Sequence, residues 1–218
     1  MGHWTTLDTP HGQIAAWHAQ PAGQPRGGLV VIQEIYGVNE HMQQVGDDFA
    51  AAGYEVLVPA FFDLVEKDAQ LAYDATGTER GKQMVSTLGM DRAVDVVQAA
   101  ATVLAPAGKV GTVGYCWGGT VALLAAFRLG LPSVSYYGAR NTQYLDLPPK
   151  APVIFHFGEQ DSSIPPEAVQ QHREKLPQMM VYTYPAGHAF NRDVGPHWAP
   201  ESARLARERT LAFLADNL

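Results

Sequence analysis

The 218 residues suffice for one generous domain, and no stretch rich in Pro, Gly and Ser marks a linker, so residues 1–218 are read as a single domain. A composition 46% hydrophobic and 17% charged excludes global disorder and points to a sizeable core. The net charge of −7 leaves no basic stripe to neutralise a phosphate backbone, which turns attention from nucleic acid to a small molecule.

No apolar run approaches the roughly 18 residues of a membrane span, and Met1 to Pro10 lacks the basic-then-apolar order of a secretory signal. Met1-Gly2-His3-Trp4-Thr5-Thr6 fits the loose myristoylation pattern, but a match that short carries little weight. The expectation is a cytoplasmic monomer without a membrane partner. A lone cysteine cannot close an internal disulfide, so Cys116 needs another explanation.

In chain order, Leu29-Val30-Val31-Ile32 reads as a strand buried on both faces, and Asn39 caps a helix that runs through Ala52 to Gly53. Tyr54 to Pro59 is the next strand. Phe61 to Gly81 has no clear period and is read as a surface excursion, followed by one helix from about Lys82 to Leu104 with Met84, Leu88, Ala93, Val96, Val97 and Ala100 on its apolar face. Lys109 to Tyr115 predicts a strand, Thr120 to Leu129 a helix, and Ser133 to Tyr137, Val153 to Phe157 and Val181 to Tyr184 three more strands. Pro166 to Leu176 and Pro200 to Asn217 predict helices with Pro in the first turn, where its missing N–H costs nothing. Strand-helix alternation of this kind predicts an α/β fold, a mostly parallel sheet covered on both faces, with no large lid domain.

In such sheets the chemistry gathers at the carboxyl ends of the strands. Gly114-Tyr115-Cys116-Trp117-Gly118-Gly119 lies at one such end and matches the G-x-nucleophile-x-G elbow, with Cys in place of Ser. A lone Cys is usually a small buried hydrophobe, but the glycine spacing and the strand-helix context reverse that reading. A sulfur at a helix N-terminus is also favoured as thiolate by the helix dipole. Asp161, in Gly158-Glu159-Gln160-Asp161, and His188, in Pro185-Ala186-Gly187-His188, follow later strands. Taken singly, such an Asp is a turn residue and such a His competes with seven others, among which His156 sits in an apolar strand and reads as packed core. Together they complete the order nucleophile, acid, histidine that an α/β-hydrolase requires.

These motifs, with Gln33-Glu34-Ile35-Tyr36-Gly37-Val38-Asn39, Gly158 to Pro165, Gly187-His188-Ala189-Phe190, Arg192 and Glu208-Arg209-Thr210-Leu211, give the chain a resemblance to the dienelactone hydrolase (carboxymethylenebutenolidase) family over nearly its whole length. The resemblance implies a compact α/β-hydrolase that opens a conjugated enol-lactone to maleylacetate without a cofactor. It implies that Cys116, Asp161 and His188 form the triad, that Glu34 handles the thiol, and that Arg192 binds a substrate carboxylate. A second family arginine corresponds to Arg80, with Lys82 aligning almost as well.

The chemistry of the residues agrees. His188 takes the thiol proton while Asp161 orients the imidazole, and backbone N–H groups of Trp117 and Ile35 are placed to meet the oxyanion. Glu34 reads otherwise as a solvated strand end. Tyr36, Trp117, Tyr137 and Phe190 are either pocket lining or core packing. Because a thiolate is itself a good leaving group, the expected partner is an activated small ester or lactone, anionic if Arg192 binds it. Neither H-E-x-x-H, a Cys/His cluster nor G-x-x-x-x-G-K-[ST] occurs, so neither a metal nor a nucleotide cofactor is expected. A thiol redox enzyme would use the same low-pKa cysteine, but would have no need of the ordered Asp161 and His188.

Overall fold

The computed structural model describes residues 1–218. Eight strands form one sheet in the order β1-β2-β4-β3-β5-β6-β7-β8, and the chain divides into two compact units, 1–112 with Leu218, and 113–217.

The first unit opens with a hairpin that the sequence reading passed over. β1 (His3–Thr9) and β2 (Gly12–Ala19) pair antiparallel from Thr9↔Gly12 to His3↔His18, and β2 pairs antiparallel with β4 (Glu55–Pro59). β3 (Gly28–Ile32) runs parallel to β4 and is buried throughout. Its Leu29, Val30, Val31 and Ile32 side chains contribute about 1.5–3 kcal/mol each by leaving water, before chain entropy is charged against them. α1 (Glu40–Ala51) starts where Asn39 Oδ1 accepts from Met42 N–H at 3.2 Å and ends before Gly53, whose φ of 103° suits only glycine.

The supposed excursion from Phe61 to Gly81 holds a 3-10 turn at Phe61–Leu64 and then the first half of α2 (Ala75–Leu88), which Asp74 caps through Gly77 N–H at 2.7 Å. The single helix expected from about Lys82 to Leu104 is two. Gly89, at φ 77°, breaks the ladder, and α3 (Met90–Leu104) follows with Ala93, Val94, Val96, Val97 and Ala100 buried.

β5 (Val110–Tyr115) leads into the second unit and turns directly into α4 (Trp117–Leu124), three residues earlier than Thr120. Every residue of α4 is buried, as expected of a helix apolar all round, and it ends in a π-helical turn over Ala125–Leu129. β6 (Ser133–Tyr136), β7 (Val153–Gly158) and β8 (Met180–Tyr184) run parallel in register, with α5 (Pro166–Lys175) between β7 and β8 and α6 (Pro200–Asn217) closing the chain. No helix is long and apolar enough to cross a membrane.

Candidate active site

Cys116 occupies a turn that little else could form. Its φ is 55° and ψ −116°, outside the regions L-residues prefer, and the chain passes from β5 to α4 without a spare residue. A Cβ on Gly114 would lie 1.8 Å from Gly118 O, and one on Gly119 would lie 2.6 Å from Tyr136 O. Both positions therefore exclude any side chain. Cys116 N–H donates to Tyr136 O at 3.0 Å, and Gly119 N–H donates to Cys116 O at 3.0 Å, which pins the turn from both sides.

The acid and histidine loops are built against each other. Gly158 closes β7, and a Cβ there would meet Ala186 O at 2.4 Å and Gly187 O at 2.7 Å. Glu159 N–H donates to Tyr184 O at 2.8 Å and Gln160 N–H to Ala186 O at 2.9 Å, so two backbone bonds fix one loop on the other. Asp161, its side chain fully buried, accepts from Ser163 N–H at 2.8 Å through Oδ1 and faces His188 Nδ1 at 2.6 Å through Oδ2. His188 Nε2 lies 3.2 Å from Cys116 Sγ.

The three residues that the sequence order singled out thus stand in one hydrogen-bonded line. Burial pushes the His188 pKa down, but the Cys116 charge, the Asp161 and Cys116 hydrogen bonds and the Asp161 charge outweigh it and drive the pKa up to about 11. These interactions favour the protonated imidazole. Ser163 is a member that sequence reasoning missed, although Asp161-Ser162-Ser163 has the Asx-turn form in which a carboxylate caps the N–H two residues on.

Tyr137, at φ 38°, packs its ring 5.1 Å from His188 and 5.5 Å from Phe190. Phe190 has no exposed surface and also meets Tyr136 and Tyr184, so it is core packing behind the histidine loop. Trp117 is buried as the first residue of α4. Arg192 is buried, its Nε donating to Val194 O at 3.2 Å.

In the first unit Glu34 is 2% exposed, which ends the reading of it as a solvated strand end. Ile35 and Tyr36 are half-buried, and Tyr36 Oη meets Thr78 Oγ1 at 2.9 Å with its ring edge-on to Tyr73. Arg80 and Lys82 both lie on α2 and are exposed; Arg80 is ion-paired with Glu66.

The profile of the dienelactone hydrolase family matches residues 14–218. The chain belongs to the dienelactone hydrolase family. That membership makes it a hydrolase of ester or lactone bonds on the α/β-hydrolase fold. It is similar to the carboxymethylenebutenolidase of Pseudomonas putida, with 32% identity over 207 residues covering 89% of this chain and 88% of the relative. A candidate carboxymethylenebutenolidase of Azospirillum brasilense is 34% identical over 226 residues, 95% of each chain. Among solved structures, a candidate dienelactone hydrolase from Klebsiella pneumoniae superposes with a TM-score of 0.87 at 26% identity, covering 99% of this chain and 98% of its own.

Proposed function

We propose that this family member opens an activated ester or enol-lactone, of the kind named by its carboxymethylenebutenolidase relatives, through a Cys116-His188-Asp161 triad and an acyl-thioester. The observation that carries the proposal is the continuous line from Asp161 Oδ2 through His188 to Cys116 Sγ, at 2.6 and 3.2 Å. Sulfur adds its electron pair to the carbonyl carbon, and the carbonyl oxygen takes up the negative charge, met by the Trp117 N–H at the start of α4. Collapse of the adduct expels the enolate or phenolate oxygen, which takes the proton from His188. Neutral His188 then deprotonates water, which adds to the thioester. Sulfur leaves as thiolate, the acid product departs, and the imidazolium is restored.

Sulfur restricts the substrates. With a plain alkoxide as the competing leaving group, the adduct would expel sulfur and return to starting material, whereas an enolate or phenolate leaves readily. Arg192 is assigned to the substrate carboxylate, and an anionic lactone is the preferred class. The family pattern, not geometry, supports roles for Glu34 in thiol protonation, Ile35 N–H at the oxyanion, and Arg80 and Tyr36 in binding. Tyr137, whose ring lies 5.1 Å from that of His188, is assigned to substrate contact. The family match across residues 14–218 supports one working α/β-hydrolase domain, which we take to act as a cytoplasmic monomer without a cofactor. The test is turnover of enol-lactones, aryl acetates and alkyl esters by wild type and Cys116→Ala. We expect the first two classes to react and the variant to be inactive while folded; a variant that kept most of the activity would overturn the assignment.

A further inference from the structure

Behind the triad runs a buried polar chain that the reaction does not use, and it takes in the Arg209-Thr210 pair of α6. Arg209 lays its guanidinium over Tyr182, 4.2 Å from the ring centre, and donates from Nη1 to Tyr184 Oη at 3.1 Å. Guanidinium only donates, so Tyr184 Oη accepts there, and the oxygen keeps its proton and a second lone pair for the bond to His156 Nδ1 at 2.8 Å. His156 Nε2 meets Thr210 Oγ1 at 3.1 Å, so both ring nitrogens are hydrogen-bonded in either neutral tautomer. Thr210 Oγ1 also meets Tyr136 Oη at 2.8 Å. One continuous chain of hydrogen bonds thus runs from Arg209 to Tyr136. Burial, reinforced by the Arg209 charge, lowers the His156 pKa to about 3, so the ring stays neutral.

The chain joins the strands at the level where the reacting loops leave them. Tyr136 ends β6, Tyr184 ends β8, and His156 lies between them in β7, paired in register with Tyr136. β5 is tied in by the stack of Tyr115 on Tyr136, 4.8 Å between ring centres, and by Cys116 N–H on Tyr136 O at 3.0 Å. Cys116 follows Tyr115 directly, Asp161 departs from the end of β7 and His188 from the end of β8.

We propose that Arg209, Tyr184, His156, Thr210 and Tyr136 form a positioning network that holds these strand ends in the register that aligns sulfur, imidazole and carboxylate. None of the five touches the reacting atoms. The proposal rests on the reading of Cys116 as nucleophile.

Thr210→Val keeps the shape and removes the hydroxyl shared by His156 and Tyr136, Thr210→Ser restores it, and Arg209→Met keeps the stem over Tyr182 without donor or charge. The readouts are kcat and KM on an aryl acetate and the pH profile of Cys116 alkylation by iodoacetamide, well below each melting temperature. The expected result is a fall in kcat of about tenfold for Thr210→Val and Arg209→Met with KM changed less than about twofold, since a small misplacement of reacting groups costs rate, not binding. The midpoint of the alkylation profile should shift with it, Thr210→Ser should restore both readouts, and the double variant should be no worse than the worse single one. Arg209 is partly exposed, so Arg209→Met decides the matter if Thr210→Val does not fold. Wild-type kcat in a folded variant, an unmoved alkylation profile, or failure of Ser to rescue overturns the network. Cys116→Ala is run alongside: turnover there overturns the nucleophile itself, whereas an inactive Cys116→Ala beside a wild-type-like Arg209→Met overturns the network alone.

Discussion

Gly114→Ala puts one methyl group where the elbow has no room, and the cost can be worked from the backbone. The new Cβ would lie 1.8 Å from Gly118 O, 2.3 Å from Gly118 C and 2.9 Å from Gly119 N. All three are main-chain atoms of a helix buried at every residue, so no flexible side chain can swing aside. Reaching an ordinary carbon–oxygen contact of about 3.3 Å requires the end of β5 and the first turn of α4 to part by roughly 1.5 Å. Cys116 lies between them with Sγ 3.2 Å from His188 Nε2, and a displacement of that size breaks the bond. The expected loss is about 3 kcal/mol of stability, at the upper end for overpacking, and about a hundredfold in kcat/KM for the protein that folds. Gly187→Ala is the control. Its added carbon would meet only Gln160 O, at 3.8 Å, although it stands next to His188, so stability should change by no more than about 1 kcal/mol. Thermal melts and aryl acetate turnover of the two variants give the comparison. A Gly114→Ala enzyme that melts and turns over like wild type, or a Gly187→Ala enzyme as badly damaged, would refute the reasoning.

Asp161→Asn removes an acceptor and a charge that hold the His188 proton, so its pKa should fall from about 11 by about one to two units, read by NMR titration of the imidazole, and kcat should drop more than KM rises. Because His188 titrates higher folded than unfolded, its contribution to stability is complete below about pH 6.5 and fades as pH rises through about 11; Asp161→Asn should flatten that alkaline arm, and an unchanged midpoint would remove Asp161 from this role. His172, wedged edge-on to Phe155 and Phe157, has its pKa lowered to about 4 by burial, against the bond it makes to Ala168 O. Its contribution is therefore present above about pH 6.5 and lost as pH falls towards 4, a change of roughly 3 kcal/mol that His172→Leu should remove from the acid arm of a urea-melt series. Arg192→Lys should raise KM for an anionic lactone far more than for a neutral aryl acetate, since Lys cannot form the bidentate pair, and equal effects on both would take Arg192 out of binding.

What was legible in the sequence was whatever burial writes as an unbroken pattern. Leu29 to Ile32 shows as a strand because both its faces are covered, and the elbow shows because its backbone contacts exclude all but glycine at fixed spacing. The hairpin of β1 and β2 gives no such run: only Leu7, Ile14, Ala16 and Ala19 of its strands are buried, and pairing rather than composition holds it. α2 hid for a different reason. Two of its five buried positions are Gly77 and Gly81, where a Cβ would come 2.0 Å from Ala72 O and from Ile35 O, so close backbone contact erased the apolar period that would have revealed the helix. In the site, Cys116, Asp161 and His188 were readable from order along the chain, while Thr210 and His156, 54 residues apart, carry no local mark of their hydrogen bond.

The backbone of Cys116, at φ 55°, stores on the order of 1–3 kcal/mol that a glycine in its place would release. The residue at the centre of the chemistry therefore carries backbone strain, set against the 3.2 Å contact its sulfur makes with His188. A laboratory selection for heat resistance alone has no stake in keeping that strain, so any scheme for hardening this enzyme must select for turnover in the same round.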